Sequence, residues 1–189
     1  MGIEELVEKY KNENKPDLHK YLNYYKDMKS IDDVIGKAAC AETLYGEHVH
    51  QRRIKNEILE EVKSKLLNNC NRIANCNSFE CIIGIVKENK VKGFGLLAVY
   101  DTSLRIGANL GVYPKKVYLH SGTSKGYKAL MGIKRLENNC RTIEADKLRD
   151  CLKNGELDPC EIEDFLCIYK DCFGKEENKC DLSKLKSCK

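Results

Sequence analysis

The chain contains no tryptophan and only three prolines among its 189 residues. It has no run of eighteen apolar residues, which excludes a membrane-spanning helix. With 42% hydrophobic residues and no low-complexity segment, it is not a disordered chain. No basic leader precedes an apolar stretch near Met1, so we expect a cytoplasmic rather than a secreted protein. The absences together leave a soluble globular protein with a substantial core.

The eleven cysteines cannot all pair with one another, because their number is odd. In a reducing cytosol we expect them to pack as small apolar residues rather than as disulfides. Structural zinc sites use two close pairs of ligands, and here only the gap between Cys167 and Cys172 approaches that spacing. We therefore expect neither a metal nor a cofactor.

Apolar residues recur at intervals of three and four along most of the chain, which is typical of amphipathic helices. Asp158, Pro159 and Glu161 predict a helix start and a helix running to about Asp171. Thr142 is predicted to start another helix, which ends at Lys153. The clearest helix covers residues 51–68, where apolar residues fall at four-residue intervals: Ile54, Ile58, Val62 and Leu66.

This pattern predicts an all-α protein, with one compact multi-helix domain over residues 1–174 and a lysine-rich tail at 175–189. A long helix is predicted from Leu96 to Leu110. It carries two apolar stripes, so we expect protein around most of its surface. Its remaining face carries Asp101 and Arg105 one turn apart, and these residues can form an ion pair.

Positive charge is concentrated in the middle of the sequence. Between Gly84 and Arg135 there are ten basic residues against two acidic ones, a net charge of +8. The whole chain carries +4, so the rest of it carries −4. A basic region on an otherwise acidic protein indicates a nucleic-acid-binding surface. The alternative is a solvated surface that is merely rich in lysine.

Residues 79–111 contain an apolar helix, the turn Gly93-Phe94-Gly95 and Ala98 within a second helix. This segment resembles the helix-hairpin-helix motif of DNA-binding and DNA-repair proteins. Physically, the glycines allow a tight turn, and backbone N–H groups at the start of the second helix can bind a phosphate oxygen. The alternative is an ordinary turn between two core helices.

The resemblance implies that duplex DNA is the partner and that phosphates are bound without reading the base sequence. The turn would contact one strand of the DNA, and residues that follow the turn in the sequence would extend the basic surface. Arg52 and Arg53 are further candidates for phosphate contacts. The expected DNA-binding residues are Lys90, Lys92, Gly93, Gly95, Lys115, Lys116, Ser121, Thr123 and Lys125.

Among proteins with this motif, the helical DNA glycosylases resemble the chain in size and helix content. Their catalytic lysine and aspartate would correspond to Leu97 and to a position near Lys115, and the nearest aspartate is Asp101. Some members bind an iron–sulfur cluster through four cysteines spaced six, two and five residues apart. Only the gap from Cys160 to Cys167 fits that pattern. We therefore predict a glycosylase-like fold without base-excision chemistry.

A second candidate site surrounds His120, which precedes a loop of hydroxyls, glycines and a lysine. If His120 were a general base, Ser121 or Thr123 could be the nucleophile. The alternative is that one of these hydroxyls caps the following helix. The sequence thus leaves open an enzyme with a site at His120 or Asp101, either glycosylase-like or nucleotide-processing. A helical protein-interaction module is the remaining possibility.

Overall fold

Helices form almost all of the secondary structure of the part of the chain that the structure describes. In this computed structural model, that part comprises residues 2–43, 46–47, 51–136, 141–152 and 156–173. It contains ten α-helices, one 3-10 helix and four strands of two or three residues. The predicted all-α class is therefore confirmed. None of the helices in these ranges is long and apolar enough to cross a membrane.

The chain folds as two compact units. Unit 1 combines Met1–Leu18 with Lys115–Lys189, and unit 2 is the intervening stretch His19–Pro114. Unit 2 is therefore an insertion in the sequence of unit 1. This division does not test the single domain predicted over residues 1–174, which stays a prediction. The predicted tail at 175–189 lies outside the described residues.

Unit 2 contains the helices on either side of the glycine pair. Four of its helices, at residues 31–40, 56–67, 79–88 and 96–110, pack around buried aliphatic side chains such as Val34, Val62 and Ile106. Its elements, in chain order, are α2 (Lys15–Lys26, which begins in unit 1), α3 (Ile31–Cys40), β1 (Glu42–Thr43), β2 (Gly46–Glu47), the 3-10 helix Gln51–Arg53, α4 (Asn56–Leu67), α5 (Cys70–Ala74), α6 (Phe79–Glu88) and α7 (Leu96–Leu110).

Unit 1 has a separate core, in which the helix at residues 121–131 packs against the helix at residues 159–168, and the latter also contacts a short sheet. Leu6 and Tyr10 of the first helix are fully buried in this core, together with Phe165 of the last. Its remaining elements are α1 (Ile3–Glu13), β3 (Lys116–Tyr118), α8 (Ser121–Met131), β4 (Thr142–Glu144), α9 (Asp146–Arg149) and α10 (Pro159–Ile168).

The ends of several helices follow local signals in the sequence. The Ser30 hydroxyl accepts a hydrogen bond from the Asp33 amide at 3.3 Å, which caps α3. Helix α7 has the predicted bounds and ends at Gly111, whose φ of +69° is a left-handed conformation. Helix α10 begins at Pro159 as predicted, and the Asp158 amide donates to the Glu161 carboxylate at 2.9 Å.

Three predicted elements differ from the structure. Thr142 starts strand β4 rather than a helix, because Ile143 pairs with Val117 across a two-stranded antiparallel sheet. Both side chains are buried there, so tertiary pairing outweighs helix propensity. The helix predicted over 51–68 is a 3-10 turn followed by α4. The loop predicted at 121–126 is the first part of α8.

The cysteines are not all free. Cys76 and Cys81 form a disulfide, and Cys151 is also disulfide-bonded. The expectation that these residues pack as thiols is wrong, because a Cα–Cα distance of 5.6 Å brings Cys76 and Cys81 within bonding range. The cytoplasmic location predicted above stays a prediction.

Candidate nucleic-acid interface

Helices α6 and α7 are joined by a tight turn at residues 89–95, here called the 89–95 turn. Helix α6 begins at a cap in which the Ser78 hydroxyl accepts a hydrogen bond from the Cys81 amide at 3.3 Å. Within the turn, the Phe94 amide donates to the Val91 carbonyl at 3.0 Å. Helix α7 then starts directly after Gly95. The predicted order of helix, turn and long helix is therefore present.

Phe94 anchors the 89–95 turn to unit 2. Its side chain is only 2% exposed and lies in the core formed by α3, α4, α6 and α7. Its neighbours Gly93 and Gly95 are exposed, as are Lys90 and Lys92. The buried ring therefore holds the turn in place, while the glycine backbone and the two lysines remain at the surface.

The N-terminus of α7 has no competing negative charge of its own. Gly95 occupies the cap position and has no side chain with which to bind the first N–H groups. No acidic residue lies in the first turn of this fifteen-residue helix. The first N–H groups of the helix and the positive end of its dipole are thus not neutralised by a local carboxylate.

Glu88, the acidic residue nearest to Lys90 and Lys92 along the chain, already has a basic partner. The Arg72 guanidinium lies 3.0 Å from its carboxylate, and both side chains are more than half exposed. Lys90 and Lys92 form no ion pair with another residue of the described ranges. The two lysines therefore contribute positive charge to the turn, and within the described ranges no carboxylate neutralises either of them.

The five remaining residues predicted to bind DNA belong to unit 1, whereas the 89–95 turn belongs to unit 2. Lys115, Ser121 and Lys125 are exposed. Lys116 is exposed too, but its ammonium lies 2.8 Å from the Glu144 carboxylate on the paired strand. Thr123 is fully buried and donates its hydroxyl hydrogen bond to Glu163, so it contributes nothing to an exposed surface.

His120 occupies the cap position of α8, and its Nε2 lies 2.8 Å from Oε1 of Glu163 on α10. The two side chains are only 7% and 9% exposed. Thr123 donates to the same carboxylate. The Thr123 hydroxyl therefore faces Glu163 rather than the imidazole. The buried Glu163 carboxylate thus connects α10 with the start of α8. The predicted hydroxyl cap is absent, because no side chain forms a cap hydrogen bond at the start of α8. A catalytic role for His120 stays a prediction.

Asp101, the other catalytic candidate, lies half-buried in unit 2, one turn before Arg105. Burial lowers the pKa of Arg105, but Tyr21 and Asp101 raise it, and the net shift is upward. The charge of Asp101 therefore favours the charged form of Arg105, while the ion pair predicted between the two residues stays a prediction. Arg105 is fully buried and donates from Nη1 to the Ala38 carbonyl at 2.9 Å. This burial agrees with the two apolar stripes on α7.

Among the residues that the structure places, no group of three or more His, Cys, Asp or Glu side chains could hold a metal ion. Cys180, the next cysteine after Cys172, lies outside those residues. The chain matches no known family model, no curated protein and no solved structure. Any assignment of function must therefore be argued from the residues themselves.

Proposed function

We propose that this protein binds duplex DNA by contacting the phosphates of the DNA backbone with the 89–95 turn. The observation that carries the proposal is the exposed pair Gly93 and Gly95 around a buried Phe94, at the uncapped N-terminus of a long helix. A helix N-terminus of this kind binds anions through its N–H groups and its dipole. The resemblance of residues 79–111 to the helix-hairpin-helix motif supports the same assignment.

Lys90 and Lys92 add the long-range part of the interaction. Each exposed lysine that approaches a phosphate releases condensed counterions from the DNA, so affinity falls steeply with salt. N–H groups and lysines that contact phosphates position a duplex but distinguish no base. We therefore expect binding that is independent of sequence and strongly dependent on salt. Base excision forms no part of the proposal.

The sharpest test is Gly95→Asp. A Cβ atom at this position would meet no atom within 4 Å, and the φ of −75° suits any residue. Aspartate is also a good cap, so we expect the stability of the protein to be unchanged or slightly higher. Its carboxylate would occupy the N–H groups and repel a phosphate. Duplex affinity should fall by about tenfold or more, or ~1.4 kcal/mol, in a fluorescence anisotropy titration.

Gly95→Asn is the matched control, because it has nearly the same shape and capping ability but no charge. We expect its affinity for the duplex to stay much closer to that of the wild type. Thermal unfolding of both variants checks that they fold. A folded Gly95→Asp protein with wild-type affinity would disprove the role of the turn.

A further inference from the structure

Helix α4 contacts the 89–95 turn through Ile58. A Cβ atom built on Gly93 would lie 2.6 Å from Cδ1 of this isoleucine, so the two residues touch. Ile58 is only half-buried and lies in the first turn of α4. The cap residue Lys55 precedes it by about one turn of helix, ~5 Å along the axis. The N-terminal end of α4 is therefore next to the glycine turn.

A second contact ties the same stretch of chain to α7. Arg105 donates from Nη1 to Oε1 of Gln51 at 2.6 Å, and both side chains are buried. Gln51 is the first residue of the 3-10 helix that leads into α4. Residues 51–55 are here called the 51–55 segment. Helix α7 begins at the 89–95 turn, and its Arg105 contacts Gln51, so the same helix is connected to both the turn and the start of this segment.

The 51–55 segment carries three exposed cations: Arg52, Arg53 and Lys55. None of them forms an ion pair with another residue of the described ranges. Helix α4 has no side-chain cap at Lys55, and its first turn contains one acid, Glu57. Three basic side chains against one acidic one give this edge of unit 2 a positive charge, beside the lysines of the turn.

We infer that the 51–55 segment is a second phosphate contact, which binds the backbone of the same duplex as the 89–95 turn. The inference rests on the proposed function of that turn. The buried contact of Gln51 and the packing of the half-buried Ile58 hold both sites on packed helices, so their separation is defined. Two phosphate sites at a defined separation suit the regular backbone of a double helix better than a flexible single strand.

The test compares the salt dependence of affinity for a duplex of mixed sequence among charge-neutralised variants. The variants are Arg52→Gln/Arg53→Gln/Lys55→Gln, Lys90→Gln/Lys92→Gln and both sets combined. Lys65→Gln is the control, because Lys65 lies at the far end of α4 and is already paired with Glu61 at 2.9 Å. The five neutralised positions of the two sets are exposed, and the side chain of Lys65 is 44% exposed, so the variants should fold.

The plot of log affinity against log salt loses about 0.9 in slope for each phosphate contact removed. We expect a slope shallower by up to ~3 for the triple variant and by up to ~2 for the double variant. The reductions should add in the combined variant, and Lys65→Gln should match the wild type. A single strand of the same length should be bound more weakly and lose less affinity in the triple variant.

Different results would overturn the second contact, the duplex as its partner and the proposed function. A triple variant with the wild-type slope, together with a weakly binding Gly95→Asp protein, would overturn the second contact and leave the turn standing. Equal losses on duplex and single-stranded DNA would overturn the choice of a duplex. Wild-type protein that does not retain the duplex even at low salt would overturn both the second contact and the proposed function.

Discussion

Gly93 and Gly95 lie on either side of the same buried ring but have different structural roles. Gly93 has a φ of +97°, a conformation that other residues rarely adopt, and a side chain there would also press on Ile58. Gly95 has a φ of −75° and open space around it. The first glycine is required by the path of the chain, whereas the second leaves room for a ligand.

We therefore expect Gly93→Ala to lower the free energy of unfolding by about 1–2 kcal/mol, because alanine is strained at positive φ. Gly95→Ser should leave it unchanged or raise it by a few tenths of a kcal/mol, since serine is a good cap. Urea unfolding followed by circular dichroism measures both. Equal stabilities of the two variants would contradict the distinction between the glycines.

At the scale of elements, glycines also determine how α8 meets α10. A Cβ on Gly126 would collide with the Leu166 carbonyl oxygen, and one on Gly122 would collide with Sγ of Cys167. The two helices therefore approach closely only because these positions lack side chains. The buried contact between His120 and Glu163 lies at the same crossing.

Gly126→Ala should destabilise unit 1 by about 1–3 kcal/mol, as expected when a packed interface is overfilled. Gly84→Ala is the matched control, because Gly84 lies inside α6 and a Cβ there meets nothing within 4 Å. Alanine favours the helix, so this variant should gain about 0.5–1 kcal/mol. Thermal unfolding of both proteins gives the comparison. A Gly126→Ala protein as stable as the wild type would show that the crossing tolerates a side chain.

Elements with strong local signals agree well with their predictions. Helix α7 and the start of α10 have the predicted bounds, because a terminal glycine and the Asp-Pro pair act within a few residues. The Thr142 segment is different, since its strand exists only through pairing with β3, in which Val117 lies opposite Ile143, 26 positions further along the chain. A single strand of three residues carries too weak a periodicity to be recognised in a sequence.

At the scale of the whole molecule, both units bury tyrosines whose ionisation would oppose folding. Burial raises the pKa of Tyr10 in unit 1, and the charge of Asp164 raises it further. Burial also raises the pKa of Tyr25 in unit 2. Since the unfolded chain loses these protons near pH 10, the unfolded state gains stability as the pH rises above about 10.

We therefore expect the free energy of unfolding to be constant with respect to these tyrosines below about pH 9 and to fall above pH 10. Tyr10→Phe should cost about 1 kcal/mol at neutral pH, because it removes the hydrogen bond of 3.0 Å to Asp164. Its loss of stability in alkali should be shallower, by up to ~1.4 kcal/mol per pH unit. Urea unfolding at a series of pH values measures this difference. An identical pH slope in the two proteins would contradict it.

The distribution of charge is also a property of the whole molecule. The basic stretch between Gly84 and Arg135 crosses the division between the units at Pro114. The one arginine of this stretch that lies in unit 2, Arg105, is fully buried and donates a hydrogen bond to Gln51 instead of facing solvent. The proposed DNA surface therefore rests on the 89–95 turn and the 51–55 segment within a single unit.

The all-α class, the long helix α7 and the turn before it could be predicted from the amino-acid sequence, because periodicity, caps and glycines act over neighbouring residues. The burial of Thr123 against Glu163 and the contact of Gly93 with Ile58 became evident only once the chain was seen folded. These contacts join residues 40 and 35 positions apart, and no local pattern specifies which distant side chain will meet another. Packing of whole helices makes that choice, because it buries the largest apolar area.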